Sequence, residues 1–335
     1  MAALHPAVAA TRGAVRDAIG PAAAGPLAGG PAGGLVLVAC SGGADSLALA
    51  AAAAFVAPRA GWRAGLVTVD HQLQPGSAER ALDVARWAAE ADLSPAIIET
   101  VRVTGRPGGP EAAAREARYQ ALVRAATEQE ASAVLLGHTR DDQAETVLLA
   151  LLRGAGLRGI AGMPVHREID GVTFIRPLLE ISREQTRAAC VALGYDAWDD
   201  PHNNDPAYGR THARTLIGSL VDELGPSVVP NLARTAHLAA VDTAALDDLA
   251  AAAWSAAAAD DGSLRVDDLL GLAEAVRTRV LHRWARWLGA SGSALSHRHV
   301  AALAALLTDW HGQGPVYLPG AIAVIRRDGS LRRLG

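Results

Sequence analysis

Short apolar runs alternate with longer amphipathic stretches through the first two-thirds of the chain. Leu35–Cys40, Gly65–Asp70, Ala96–Val101, Ala133–Gly137 and Val172–Arg176 have the compactness of strands buried in a sheet. Between them, Asp45–Val56, Gly76–Ala91, Pro110–Glu128, Asp141–Leu152 and Arg183–Leu193 carry helical patterns. Such alternation predicts an α/β fold built on a doubly wound parallel sheet, in which ligands sit beyond the carboxyl ends of the strands. A short amphipathic helix is expected over His5–Ile19, followed by a Pro/Gly/Ala linker over Pro21–Gly34.

After about Thr215 the alternation stops. One or two helices are expected in Val221–Ala259, with more in Val266–Leu288 and His297–Trp310. Val316–Leu318, Ala321–Arg326 and Leu331–Leu334 close the chain as short antiparallel strands around Pro-Gly and Asp-Gly turns. The predicted organisation is an α/β domain over residues 1–215 and a smaller, mainly helical domain with a C-terminal β element over 216–335.

Composition narrows the chemistry. All 31 basic residues are arginine, so an internal lysine Schiff base and a Gly-Lys-Ser/Thr phosphate loop are both excluded. Cys40 and Cys190 belong to no CxxC or zinc pattern and read as two reduced, buried thiols of a cytoplasmic protein. The N-terminus lacks the pattern of a secretory signal, and the longest apolar run, Leu47–Ala57, is too short to span a bilayer. The net charge of −4 hides a gradient. Leu216–Ala275 holds ten acidic residues against two arginines, whereas Val276–Gly335 holds nine arginines against two aspartates. The basic end is either a surface aimed at phosphate or a solvated helix pair.

The turn after the first strand carries the sharpest signal. Ser41-Gly42-Gly43-Ala44-Asp45-Ser46 joins a buried strand to a helix. Amide groups at a helix N-terminus bind anions, the glycines allow close approach of a polyphosphate, and Ser41 and Ser46 add hydroxyls. Asp45 would repel phosphate unless a cation lay between, which points to Mg²⁺. A plain Gly-Gly turn with a serine cap is the alternative. Further on, His138, Asp142 and Glu145 stand at i, i+4 and i+7 on one helical face, able to hold a metal or an ammonium, while Asp141 suits the helix dipole. His71 ends the second expected strand, as a nucleotide contact or a structural hydrogen-bonder.

SGGADS resembles the pyrophosphate-binding loop of the PP-loop ATP-pyrophosphatases, Rossmann-like enzymes that split ATP between the α- and β-phosphates. With "VDHQLQPGSAERA", "PEAAAREARYQAL", "GHTRDDQAETVLLALLRGAGLRGIAGM", "RPLLEISREQ" and "WDDPHNNDPAYGRTHAR", the chain resembles the tRNA(Ile)-lysidine synthases, well over Leu35–Arg214 and in outline beyond. The resemblance implies a ligase that attaches free L-lysine to C2 of the wobble cytidine of an isoleucine tRNA with a CAU anticodon. ATP adenylates the cytidine O2, pyrophosphate leaves, and the lysine ε-amine then displaces AMP. It further implies an ATP loop formed by Ser41, Gly42, Gly43, Ala44, Asp45, Ser46 and His71, with Asp45 positioning Mg²⁺. Arg115, with Arg118 beside it, would stabilise the adenylated intermediate; Asp142 and Glu145 would hold the lysine ammonium. Arg153, Arg158, Arg210 and Arg214 would contact tRNA, with the basic C-terminal segment gripping it elsewhere.

The match departs from the family pattern at Gln74, Pro110 and His202, where arginine, asparagine and serine are common. The usual Arg-Asn-Arg-Ile-Arg run is here Arg210-Thr211-His212-Ala213-Arg214. A tRNA thiolation enzyme of the same superfamily is the nearest rival, for which the two cysteines are poorly placed. A non-catalytic RNA-binding protein is the rival from another class. Oligomeric state is left open, a homodimer included.

Overall fold

The computed structural model describes residues 4–20, 27, 33–72, 76–102, 110–199, 209–292 and 294–334. Gln74 and His202 lie outside them, as do the side chains of Pro110 and Glu111. The chain divides into two compact units, 1–239 and 240–335.

In the first unit the elements are α1 (Pro6–Ile19), β1 (Leu35–Ala39), α2 (Ala44–Val56), β2 (Arg63–Asp70), α3 (Ser77–Glu90) and β3 (Ala96–Thr100). There follow α4 (Pro110–Glu128), β4 (Ala133–Leu136), α5 (Arg140–Leu152), α6 (Leu157–Ile160), β5 (His166–Ile169), β6 (Val172–Ile175) and α7 (Arg183–Leu193). Helix α8 (Gly209–Leu224) runs unbroken, and the division between units falls inside α9 (Val228–Ala257).

Six strands form one sheet in the order β3-β2-β1-β4-β6-β5. β1 is flanked by β2 and β4, both parallel to it, in register from Leu35↔Arg63 and Val36↔Ala133. The strand order reverses at β1, so the loops after β1 and β4 meet at the sheet's switch point, where doubly wound folds place their ligands. The alternation of β1 shows why it is central. Val36 and Val38 join the core beneath α1, α2, α3 and α7, whereas Leu35 and Leu37 join the core beneath α4. Each such fully buried aliphatic side chain contributes about 1.5–3 kcal/mol.

The sheet is not wholly parallel. β5 pairs antiparallel with β6 at the edge, from His166↔Ile175 to Ile169↔Val172. Its first three residues are exposed, as an edge strand facing solvent requires, and its polar sequence gives no buried-strand pattern. After Arg153 the chain forms the one-turn helix α6.

The second unit has its own core around Trp284, Leu269, Leu303, Leu306, Val324 and Leu331. It continues with β7 (Leu264–Arg265), α10 (Val266–Leu270), α11 (Glu274–Trp287), α12 (His297–Thr308), β8 (Val316–Leu318), β9 (Ile322–Arg327) and β10 (Ser330–Arg333). The four strands form an antiparallel sheet in the order β7-β10-β9-β8. Asp328-Gly329 makes the expected turn between β9 and β10, which pair from Ser330↔Arg327. Among the described residues, no helix is long and apolar enough to cross a membrane.

Candidate active site

At the carboxyl end of β1 the chain turns through Ser41-Gly42-Gly43 into α2. Gly42 has φ +85°, a left-handed conformation, and a Cβ there would lie 3.1 Å from Val84 Cγ2. Gly43 occupies the N-cap without a side chain to cap the helix, so the first-turn amides remain available to an anion. The hydroxyl of Ser46 is used inside the loop: it donates to Gly43 O at 2.9 Å and accepts from Ser41 N at 3.2 Å. It therefore shapes the turn, while Ser41 is exposed at its surface. Gly137, following β4, lets the second loop press against the first. A Cβ there would sit 3.1 Å from Asp45 O and from Ser46 N.

Asp45 lies in the first turn of α2. Thr186 of α7 donates a hydrogen bond to its carboxylate, and Arg183 Nε stands 3.7 Å away. Burial, with Asp142 and Asp141 close by, pushes the Asp45 carboxyl up to about 6 despite those contacts.

Helix α5 starts on a capping box: Thr139 N donates to Asp142 Oδ2 at 2.7 Å, and Asp142 N to Thr139 Oγ1 at 3.5 Å. Asp142 Oδ1 accepts from Arg183 Nη2 at 3.1 Å. Burial alone would raise its carboxyl, but Arg183 and His138 outweigh it and hold it below the usual carboxylate range. Asp141 does more than suit its own helix, because its carboxylate accepts Arg183 N at 2.8 Å and so caps α7. Glu145, only 2% exposed, accepts on Oε1 from Arg183 Nη2 at 3.2 Å and from Arg214 Nε at 3.0 Å. Its Oε2 is buried with no hydrogen-bond partner among the described residues. His138 is buried among Arg118, Arg176 and Arg210, and burial with these cations drops its imidazole to about 3, so it is neutral at pH 7.

Opposite the carboxylates lies a cationic wall. Arg115 Nη2 and Arg176 Nη2 both donate to Tyr119 Oη, at 3.3 and 3.4 Å, and Tyr119 packs edge-on against Phe174. Arg118, half-buried and beside Arg115, falls to about 10 through burial, and its Nε is buried without a partner among the described residues.

A cleft of about 460 Å³ is lined by Ser41, Gly43, Ala44, Asp45 and Ser46 together with Arg118. His71, His138, Asp142, Arg183, Arg210 and Arg214 also line it. Arg115 does not; it turns to Tyr119, and Arg118, three residues on, takes the wall. Arg153 and Arg158 are exposed and away from the cleft, as is His212. Sequence reading gave no role to Arg183 or Thr186, although both lie in or beside "RPLLEISREQ". Both cysteines are buried free thiols; burial raises each, Cys190 to about 11, so neither is a thiolate at pH 7.

Residues 29–220 match the PP-loop domain family, and residues 264–332 match the TilS substrate binding domain. The tRNA(Ile)-lysidine synthase of Salinispora tropica is 61% identical over 332 residues, covering 99% of this chain and 97% of its own. Those of Streptomyces coelicolor and Thermobifida fusca are 51% and 49% identical, covering 89% and 97% of this chain and 84% and 97% of their own. Among solved structures, the U34-tRNA thiolase NcsA from Methanococcus maripaludis superimposes with a TM-score of 0.54 at 16% identity. That match covers 69% of this chain and 78% of the thiolase, and it speaks to the fold alone.

Proposed function

The chain belongs to the tRNA(Ile)-lysidine synthase family, and from that premise we propose how its residues divide the work of lysidine formation. The enzyme is a ligase that uses ATP and acts on tRNA(Ile). The observation that carries the reading is the meeting of the glycine turn, Asp45 and Asp142 with Arg118, Arg183, Arg210 and Arg214 in one cleft at the switch point.

A carbonyl oxygen on a base is a poor leaving group, and adenylation converts it into a good one. The amides of Gly42, Gly43 and Ala44 hold the departing pyrophosphate at the N-terminus of α2. Arg118, half-buried and with a buried, unused Nε, faces the charge that builds up on the adenylated cytidine, with Arg115 supporting it through Tyr119. Arg210 adds positive charge for a phosphate at the cleft rim, and Arg214 does so once released from Glu145. His71 lines the nucleotide side. Lysine has an ε-ammonium of pKa about 10.4, so it arrives protonated and must lose a proton before attack. Glu145 and Asp142 hold that ammonium, the unsatisfied Glu145 Oε2 being the seat that no described protein donor fills. The wobble base leaves its stack to enter, which an anticodon loop allows cheaply.

The residues present fit Mg²⁺ as a companion of ATP. Among the described residues no three ligating side chains cluster into a cage, but Mg²⁺ is commonly held by one or two carboxylates together with substrate phosphates. Asp45 supplies such a hard oxygen beside the phosphate turn, with Asp142 and Asp141 close by. The ion would neutralise charge on the polyphosphate. Exposed Arg153 and Arg158, and the arginines after Val276, supply sequence-independent contacts to the tRNA backbone.

The decisive experiment incubates the protein with the isoleucine tRNA, ATP and lysine, singly and together, with mass spectrometry of the tRNA. AMP release and a lysine-sized mass gain at the wobble cytidine are expected only with all three. Modification by sulfur, or none, refutes the assignment.

A further inference from the structure

After α7 the chain runs without regular structure through Tyr195–Asp199 and reaches the glycine turn. Trp198 N donates to Gly42 O at 3.0 Å, a bond that ties this strap to the phosphate loop. The bond also orients the loop. In the trans peptide between Gly42 and Gly43, the carbonyl and the N–H lie in one plane and point in opposite directions. Anchoring Gly42 O to Trp198 therefore turns the Gly43 N–H away from the strap. Among the described residues no carbonyl accepts from that N–H, and Gly43 lines the nucleotide cleft whereas Gly42 lines a separate cavity of about 820 Å³.

The strap has little of its own to hold it there. Its ion pair between Arg187 and Asp199 joins side chains that are 60% and 89% exposed, and such pairs contribute little. The indole of Trp198 is the stronger anchor, because the guanidinium of Arg80 in α3 lies over it with Cζ 3.2 Å from the ring centroid. Arg80 stands four residues before Val84 on one face of α3, and Val84 is the side chain that a Cβ on Gly42 would meet. One helix face thus bears on the turn twice, directly through Val84 and through the strap by way of Arg80. Trp198 lines both cavities, and Arg80 lines the larger one.

We propose that the Arg80–Trp198 stack is a latch that fixes the Gly42–Gly43 peptide with its N–H toward the departing pyrophosphate. Both side chains are then positioning residues for the adenylation step. The proposal rests on the functional reading above and deepens it at the phosphate turn. With two glycines flanking the peptide, no Cβ opposes its rotation once the strap is released. A rotated peptide sets Gly42 O, rather than Gly43 N–H, against the leaving anion and exchanges attraction for repulsion.

Three single variants and one double variant test the latch. Trp198→Leu removes the ring face and leaves the main-chain N–H in place, Arg80→Gln removes the cation, and Trp198→Phe keeps a ring for it. Each is compared with wild type by steady-state kinetics and by calorimetric titration with inorganic pyrophosphate. In Trp198→Leu and Arg80→Gln the KM for ATP and the Kd for pyrophosphate should rise together by about tenfold, the range of a partly desolvated cation–π contact. The KM for lysine should not move, and Trp198→Phe should stay within about twofold of wild type. The double variant Arg80→Gln/Trp198→Leu should be no weaker than Trp198→Leu alone, because the two changes break one contact. A side chain that merely supports the fold would lower the melting temperature without separating pyrophosphate from lysine. Should Trp198→Leu fold poorly, Arg80→Gln and Trp198→Phe carry the comparison. Lysidine formation with unchanged KM and Kd in the variants overturns the latch and leaves the function standing. Losses that add in the double variant, or that Trp198→Phe shares in full, overturn it as well. Pyrophosphate binding that weakens in the variants, without lysidine formation by wild type, upholds the latch and overturns the function. If wild type neither binds pyrophosphate nor turns over, both fall.

Discussion

Replacing Asp45 with asparagine should abolish activity and stabilise the fold. The carboxyl is pushed from 3.8 up to about 6 by burial against Asp142 and Asp141, contacts with Thr186 and Arg183 notwithstanding. At pH 7 the native state therefore holds a charge that the unfolded chain solvates more cheaply. Because the folded pKa lies above the unfolded value, proton uptake favours folding. That contribution is complete below about pH 3.8 and is lost as pH rises through about 6. The shift of about two units sets an upper limit of about 3 kcal/mol on the penalty at neutral pH. The introduced amide would still accept from Thr186 but would lose the attraction to Arg183, and a quarter of the Asp45 side chain is exposed. The expected net gain is about 1–2 kcal/mol, or roughly 2–6 °C in melting temperature for a domain of this size. Thermal unfolding without nucleotide or Mg²⁺, at pH 4, 5.5 and 7.5, measures it. The Asp45→Asn advantage should be near zero at pH 4 and nearly full at pH 7.5, while AMP formation falls at least 100-fold. A variant less stable than wild type at pH 7.5, or a difference independent of pH, refutes the electrostatic account.

Three further outcomes are expected. Gly42→Ala puts a Cβ into a left-handed turn and against Val84, and should destabilise the chain by about 1–2 kcal/mol while raising the KM for ATP; an unchanged melting curve and KM would contradict the geometry of the loop. Glu145→Gln keeps the shape of the side chain and removes its charge, so the KM for lysine should rise tenfold or more with lysine-independent pyrophosphate release retained; an unmoved KM would defeat the amine seat. Binding of tRNA, measured by filter retention, should weaken at least tenfold between 50 and 200 mM salt, the loss for about two phosphate contacts, and a flat response would deny the arginine surfaces their role.

What the sequence disclosed depended on how local the signal was. The turn after β1 was legible because a doubly buried strand, two glycines and a helix start lie within a dozen residues. The common face of His138, Asp142 and Glu145 was legible because it follows from helical periodicity alone. The pairing of Glu145 with Arg214 was not, because it arises when α8 packs across α5. Arg183 escaped notice for a related reason. It opens a helix, where the dipole favours acids rather than bases, and its three carboxylate partners are remote in sequence. Arg115 was chosen from the sequence with Arg118 beside it, but Arg118 lines the cleft whereas Arg115 turns to Tyr119, which packs on Phe174. β5 was invisible because an exposed edge strand carries no apolar alternation.

On the proposed assignment of Glu145 to the amine, the cations around it bear on why the site can wait without reacting. Three carboxylates, Asp45 and Asp142 half-buried and Glu145 buried, need compensation before any substrate arrives, and Arg183 reaches all three. Burial works against its charge, but the carboxylates prevail and hold the guanidinium still more firmly protonated than in water. A lysine at that position would meet the same balance with an amine able to shed its proton in a desolvated site and attack an adenylated base. A guanidinium cannot do so near neutral pH. It can occupy the seat, balance the charge and be displaced, which is what a site that ligates an external amine requires of its internal stand-in.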